Sequence, residues 1–218
     1  MQFPVPDGDV LIHAGDFTMS GTPEQVKAAG NWLATLPHSR KIVVAGNHDL
    51  LFEQEPEQAL ELIGHGKNGV TYLQEQLVML DWCSIYGAPW SCLYRTLPGF
   101  PPRTKSRPWA FGLPDFGSKP NWDKVPFNLD ILITHGPPLR ILDLPPNNYP
   151  LGDPQLRDCV QEKEPRVHVF GHIHHSHGTA KIGKTLFVNA ALCDEGYSHS
   201  QAPVVLDLRP EKVMELRS

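Results

Sequence analysis

Four apolar runs in the sequence each end in a side chain that can bind a metal ion. The residues at these ends are Asp16, Asn47 with His48, His135, and His172 with His174. The chain has 11 histidines, and a cluster of them lies between His168 and His177. Loops at the ends of neighbouring strands gather at one edge of an α/β sheet, where ligands normally bind. The sequence therefore predicts a metal centre assembled from several strand ends.

The donor types restrict the metal. Carboxylate, amide and imidazole donors together suit Mn²⁺, Fe or Zn²⁺, and the absence of a thiolate argues against a structural zinc site. In His172-Ile173-His174 both imidazoles point to the same side if the backbone is extended. Taken singly, Asp16 could be a helix cap and His135 could be a buried, hydrogen-bonded histidine. His172 and His174 could form a solvated turn. Without a metal centre, all of these simpler interpretations would have to be true at the same time. A metal centre is therefore the preferred interpretation.

Short buried strands are predicted to carry these residues. Apolar runs indicate strands at residues 10–14, 42–45, 70–73, 77–80, 83–86, 131–134, 167–170, 186–189 and 204–208. Helices are predicted at residues 23–36, 56–63 and 155–164, the first capped by Thr22 and ended by Pro37. Strands alternate with helices at first and hairpin-like segments follow, which predicts an α/β fold with a mixed sheet in a single domain over residues 1–218.

The order of the motifs resembles one family. Gly15-Asp16, Gly46-Asn47-His48-Asp49, His135-Gly136 and Gly171-His172-Ile173-His174 follow one another as in calcineurin-like metallophosphoesterases. Segments such as "DVLIHAGDFT", "KIVVAGNHDL", "DILITHGPPL" and "HVFGHIH" are similar to the MPPED-type phosphodiesterase subgroup. The resemblance spans residues 10–205. It implies a sandwich of two mixed β-sheets flanked by helices.

The resemblance also implies a role for each residue. Asp16 would bridge two metals, with Asn47, His135 and His172 completing the second metal's shell and His174 binding the first. His48 would protonate the leaving oxygen, and Asp49 would orient the His48 ring. Two metals would activate a bridging hydroxide. The implied function is a metal-dependent phosphodiesterase, a hydrolase of small phosphoesters that include cyclic nucleotides.

One part of the family pattern is missing. The family's first motif, D-x-H on the first strand, would fall upstream of Met1, and neither Asp7 nor Asp9 has a histidine two positions later. We therefore expect the first strand to be missing and one well-formed metal site where the complete family site has two. The alternative function is a degenerate member of the fold, a binding or scaffold protein with at most one metal.

Other residues have competing interpretations. His13 is predicted to be a packed histidine, and His175 and His177 a solvated turn, although each could be a ligand. Residues 89–126 form a long proline-rich stretch, predicted to be an ordered loop over the site. The candidate substrate-binding residues are Tyr86, Trp90 and Trp109, with core packing as the alternative. Arg103, Lys105 and Arg107 are predicted to be a solvated face, with a phosphate contact as the alternative.

Composition excludes several classes of protein. The net charge of −5 makes nucleic acid an unlikely partner, and no apolar run is long enough for a membrane span. The four cysteines form no C-x-x-C pair, so the sequence does not support a zinc knuckle or a redox motif. We expect a cytoplasmic protein with reduced thiols and a small-molecule phosphoester substrate. The oligomeric state stays open.

Overall fold

The fold has four layers, in which two β-sheets pack face to face between helices. The structure is a computed structural model and describes residues 4–92, 109–113, 122–145 and 149–209. The strands are β1 (Val10–His13), β2 (Arg40–Val43), β3 (Val70–Tyr72), β4 (Gln76–Leu80), β5 (Cys83–Ala88), β6 (Ser91–Cys92), β7 (Gly112–Leu113), β8 (Ile131–Thr134), β9 (Val167–Phe170), β10 (Gly178–Ile182) and β11 (Thr185–Asn189). The α-helices are α1 (Pro23–Thr35), α2 (Leu51–Gln54), α3 (Pro56–Ile63) and α4 (Pro154–Lys163).

The two main sheets differ in how their strands run. In the described part of the chain, β1, β2 and β3 form a three-stranded sheet in that order, parallel throughout. The second sheet has the order β10-β11-β9-β8-β5-β4 and is mixed, because β10 and β4 are antiparallel to their neighbours. A short parallel pair of β6 and β7 lies apart. The predicted α/β sandwich is confirmed, with one sheet parallel where a mixed one was expected.

Alternation along the strands builds the layers. Successive side chains of a strand point to opposite faces of the sheet. Ile42 and Val44 therefore enter the core between the sheets, where they meet Ile131 and Ile133 of β8 and Val169 of β9. These side chains are nearly inaccessible to solvent. Their burial is worth about 1.5–3 kcal/mol each relative to exposure, so the sheet–sheet core holds the strand ends in place.

The intervening residues face the helices. Val43 packs with Val26 and Leu33 of α1 and Ile63 of α3 on the outside of the parallel sheet. On the outside of the mixed sheet, Leu132 packs with residues of α4 such as Leu156 and Val160. The cap predicted from the sequence begins α1, because the Thr22 side chain accepts a hydrogen bond from the Gln25 N–H. Such a cap stabilises a helix by about 1 kcal/mol.

One predicted strand is absent from the described sheets, and one observed hairpin strand was not predicted. Residues 204–208 join no ladder within the described part of the chain, and Val204 and Leu208 pack instead against the sheet–sheet core. The hairpin of β10 and β11 was not fully predicted, since β10 has only exposed and half-buried residues and so lacks a buried apolar run. The basic run of Arg103, Lys105 and Arg107 lies outside the described residues.

A cavity runs along the open side of β1. Among the described strands, β1 is at the edge of its sheet, and each of its residues is half-buried. The cavity has a volume of about 770 Å³ and is lined along its length by apolar residues of both sheets, among them Ile12, Val169 and Val188. Asp16, His48 and His172 lie at its polar end. The expectation of a further strand before β1 stays an expectation.

Candidate metal centre

The strand ends meet as the sequence predicts. Asp16 follows β1 and Asn47 follows β2 in the parallel sheet, while His135 and His172 follow β8 and β9 in the mixed sheet. Asp16, His135 and His172 offer ligand atoms that all lie within 4.8 Å of one another. Strands of two sheets thus deliver their polar ends to one point at the edge of the sandwich.

The Nε2 atom of His135 is at the centre of the group. It lies 2.9 Å from Oδ1 of Asn47, 3.1 Å from Nδ1 of His172 and 3.3 Å from Oδ2 of Asp16. The other ring nitrogen of His135, Nδ1, donates to the Ala14 carbonyl at 2.8 Å. That hydrogen bond fixes the tautomer, so in the neutral ring Nε2 carries a lone pair directed at its neighbours.

The amide of Asn47 shows what the group is suited to bind. Its Oδ1 faces other lone-pair atoms, an arrangement that is repulsive unless a cation lies between them. Turning the amide over would let Nδ2 donate to His172 Nδ1 at 2.8 Å and Oδ1 accept from Trp109 Nε1 at 3.1 Å. The orientation that presents Oδ1 is the one a cation selects, and amide, carboxylate and imidazole donors fit a divalent transition metal.

Electrostatics also favour a cation here. Burial opposes the charged form of Asp16, yet the imidazoles of His135 and His48 hold the pKa of this carboxyl well below its ordinary value. Burial likewise works against a charged His135, but the Asp16 carboxylate outweighs it and raises the pKa of the ring. Both shifts show that Asp16 is stabilised by positive charge beside it, the kind of charge that a bound cation would supply.

The loops that carry the ligands approach each other closely, and this requires uncommon backbone conformations. Asp16 and His172 have φ angles of 58° and 70°, in the left-handed region that is uncommon for residues other than glycine. A Cβ on Gly46 would collide with the Asp16 carboxylate and the His135 ring. Such strain is characteristic of functional sites, where the surrounding structure compensates for it.

Asp49 supports the site through the backbone. Its Oδ2 accepts hydrogen bonds from the N–H groups of Asp16 and Gly46, and its Oδ1 accepts from the N–H and hydroxyl of Thr18. Burial raises the pKa of this carboxyl to about 7, the Asp16 charge adds to the rise, and these donors oppose it. We correct the expectation that Asp49 orients the His48 ring, because the carboxylate is engaged with the two loops instead.

His48 is placed at the mouth of the cavity by other groups. Its backbone N–H donates to Oδ1 of Asp16 at 2.8 Å, which ties the residue to the metal centre. Its ring Nδ1 lies 2.8 Å from the Met19 carbonyl and therefore donates to it. The ring of Tyr197 packs edge-on against the imidazole, with 5.9 Å between centroids.

His174 lines the same cavity but stands apart from the close group of ligand atoms. Its Nδ1 donates to the Asp194 carbonyl at 2.9 Å, and its ring meets that of Tyr197. The reason is a change of backbone after Ile173, since a 3₁₀ turn begins at His174 and the two imidazoles of the motif do not stay on one extended face. His175 is exposed and does not line the cavity.

The candidate substrate residues divide into two groups. Tyr86 is 3% exposed within the core beneath α4, and Trp90 packs between two core clusters with its Nε1 donating to Glu75. Neither lines the cavity, so the structure assigns both to packing. Trp109 does not line the cavity either, but it lies beside the metal centre, with its ring 5.4 Å from that of His172 and packed against the cluster that contains Ile173. His13 packs against Phe17 and Trp32, as expected.

Sequence reasoning missed the residues that hold the ligand loops. Asn189 is fully buried, and its Nδ2 donates to the carbonyls of Ile173 and Leu142 at 2.9 and 3.0 Å. His168 is also fully buried, and its Nε2 donates to the hydroxyl of Thr134 at 2.9 Å. Asn189 ends a strand, so the rule that found the ligands could have found it. His168 gives no such signal, since it lies within β9.

Comparison with known proteins agrees with this site. A family model for calcineurin-like phosphoesterases matches residues 2–176. The chain therefore belongs to the calcineurin-like phosphoesterase family, whose members are metal-dependent hydrolases, and the resemblance predicted from the motifs is confirmed.

Individual relatives cover most of the chain. It is 39% identical over 227 residues to metallophosphoesterase domain-containing protein 1 of Homo sapiens, covering 94% of this chain and 66% of that protein. It is 36% identical over 224 residues to a UPF0046 protein of Caenorhabditis elegans, covering 94% and 74%. The chain thus spans about two thirds of the human relative's length.

A solved structure shares the fold. The crystal structure of TT1561 of Thermus thermophilus matches with a TM-score of 0.56 at 13% identity, covering 84% of this chain and 76% of that one. Within the described residues, no helix is long and apolar enough to cross a membrane.

Proposed function

We propose that this protein is a metal-dependent phosphodiesterase that hydrolyses small phosphoesters. One observation carries the proposal: the lone pairs of Asp16, Asn47, His135 and His172 converge on one point in a chain of the phosphoesterase family. A cavity of about 770 Å³ opens beside that point and has room for a small ester. The overall charge of −5 disfavours a polyanionic substrate such as nucleic acid.

The metal would be Mn²⁺, Fe or Zn²⁺, held by the side chains of Asp16, Asn47, His135 and His172. When bound, it supplies Lewis-acid charge to the phosphoryl oxygens and lowers the pKa of a water molecule. The family site holds two ions, and His174 with Asp16 would contribute to the other. The protein's own part is to fix these donors, through the Ala14 carbonyl for His135 and the His48 N–H for Asp16.

His48 would serve as the general acid. Because Nδ1 donates to the Met19 carbonyl, Nε2 is the atom left to hold a proton and pass it to the leaving oxygen. The ring lies at the cavity mouth, half-buried, where an ester group can approach it. Trp109 does not line the cavity, and it would contact a substrate only where the substrate reaches past the cavity to the side of His172.

Hydrolysis of bis(p-nitrophenyl) phosphate with Mn²⁺ tests the proposal. We expect turnover that a chelator abolishes and that Asp16→Asn reduces by at least about 100-fold, since a hydrolase of this type needs a correctly placed ion. His175→Ala is the control, because this exposed histidine does not line the cavity, and it should change the rate less than twofold. Turnover that survives chelation or Asp16→Asn would overturn the proposal.

A second function has one observation in its favour. In the described residues, only Asp16, His135 and His172 form a close group of acidic and imidazole ligands, and His174 is engaged with Asp194. A chain that binds one ion without hydrolysing aryl diesters would be a binding module on the same fold. Metal-loaded protein with no turnover above background would favour that function.

A further inference from the structure

Tyr197 occupies the mouth of the cavity between two histidines of the site. Its ring centroid lies 5.9 Å from that of His48 and 5.4 Å from that of His174, and both pairs are edge-on, at 81° and 85°. The residue is nevertheless 51% exposed. It therefore presents free aromatic surface at the place where His48 would meet a leaving group.

The hairpin that carries Tyr197 is held to His174 at the edge of the site. Cys193 and His199 pair across its base, and Oδ1 of Asp194 accepts hydrogen bonds from the N–H groups of Gly196 and Ser198. The Asp194 carbonyl accepts from both the Tyr197 N–H and His174 Nδ1. Movement of the hairpin would thus break a contact with His174.

These contacts keep Tyr197 in an unfavourable backbone conformation. Its φ is 60°, a left-handed value that is a genuine outlier for a bulky residue. A glycine or asparagine would adopt it at lower cost, so the large aromatic ring has been placed there against the local preference. Packing does not explain the ring, since about half of the residue is exposed to solvent.

The surroundings indicate which chemical group the ring would meet. Two acidic side chains, Asp194 and Glu195, flank this part of the hairpin and disfavour a further phosphate. A neutral flat group can stack on the exposed ring, as aromatic pairs do. We propose that Tyr197 is a specificity-determining residue that receives a neutral aryl or heteroaryl group on the leaving side of the ester. This inference rests on the proposed function.

Binding of two phosphonates tests it without turnover. Mn²⁺-loaded protein is titrated calorimetrically with phenylphosphonate and with methylphosphonate, which share the anionic group and differ in the ring. Wild type should bind the phenyl compound about 3–10-fold more tightly, the range expected for one aromatic pair. Tyr197→Phe should keep this ratio, and Tyr197→Leu should bring it close to one while methylphosphonate affinity stays the same.

Glu195→Gln is the matched control, because it alters an exposed side chain of the same hairpin and leaves the ring in place; its ratio should equal that of wild type. Melting temperatures establish that each variant is folded. A phenyl preference that persists in Tyr197→Leu overturns the assignment, with the proposed function untouched. If metal-loaded wild type binds neither phosphonate, the proposed function fails and the inference fails with it.

Discussion

At the scale of single residues, the site is defined by where lone pairs point. Histidine can be neutral or charged near pH 7, and either ring nitrogen can carry the proton of the neutral form. The role of one ring nitrogen therefore depends on what the other one contacts. His135 is directed inward by the Ala14 carbonyl, and His48 is directed to the cavity by the Met19 carbonyl. The same residue type thus serves as a ligand in one place and as a proton donor in another.

Metal content tests the ligand assignment. We expect about one tightly held ion per chain after dialysis, and His135→Ala should weaken its binding at least about 100-fold, since changes that only touch a ligand's support already cost 10–100-fold. Elemental analysis and Co²⁺ titration would measure this. His175→Ala should behave as wild type. Full occupancy in His135→Ala would show that the ion lies elsewhere, and two equivalents in wild type would show that His174 helps to build a second tight site.

Turnover tests His48. His48→Ala should lower kcat by about 10²–10⁴, the usual contribution of a positioned general acid. The loss should be smaller for nitrophenyl esters than for alkyl esters, because a good leaving group needs little protonation. The measurement is kcat for both kinds of ester at saturating metal. Equal losses on both would argue against proton transfer by this ring and for a role in binding.

At the scale of elements, buried polar side chains hold the ligand loops from beneath. Asn189 ends β11 and joins the loop of His172 and His174 to the loop after β8, through the Ile173 and Leu142 carbonyls. Its Oδ1 accepts from the Ala191 N–H, so the amide satisfies three backbone groups. Buried donors and acceptors that lose their partners are costly, which makes such a residue hard to replace.

Replacement of Asn189 should therefore weaken metal binding more than a control substitution that lowers the stability of the fold by a similar amount. Asn189→Asp puts a carboxylate oxygen against two carbonyls and should weaken metal binding about 10–100-fold, the range for residues that orient ligands. Leu186→Ala on the same strand is the control, since Leu186 packs against the core between the sheets, a cluster that contains no residue of either loop. Both variants should melt lower, but only the first should change Co²⁺ affinity. If both variants lose Co²⁺ affinity to the same extent, Asn189 has only a structural role.

At the scale of the whole molecule, the sandwich encloses groups that prefer to stay uncharged. His168 is fully buried in the core beneath α4, and desolvation lowers its pKa to about 3 from an ordinary 6.5. The unfolded chain therefore binds a proton between pH 6.5 and 3 that the folded chain does not. Stability from this group is complete above the ordinary pKa of 6.5 and falls as the pH drops through that window.

Chemical denaturation at two pH values tests this coupling. Between about pH 7.5 and 5.0, His168 should account for about 2 kcal/mol of lost unfolding free energy, at about 1.4 kcal/mol per unit below about 6.5. His168→Gln can still donate to Thr134 but does not titrate, so its loss over the same range should be smaller by that amount. His13, also buried with a pKa of about 4, contributes equally to both proteins and cancels. Identical pH dependence in the two proteins would contradict the assignment.

Much of the site could be predicted from the sequence because its causes are local. Short apolar runs mark β8 and β9 as strands buried on both faces, and the polar residue after each must then lie at the sheet edge. The cap of α1 is likewise a contact between near neighbours in the chain. Family membership followed from the same motifs, since their residue types and order are what the chemistry requires.

Other features were decided only by the tertiary structure. Asp49 contacts Asp16 and Thr18, more than 30 residues away, so its role in joining two loops depends on how β1 and β2 pair. Residues 204–208 look like a strand but lack a ladder partner among the described residues. The inward position of Tyr86 and the placing of Tyr197 between two histidines depend on how distant segments pack. A sequence pattern specifies which face of an element is apolar, but not which distant group that face will meet, because pairing and packing are settled by the free energy of the whole fold.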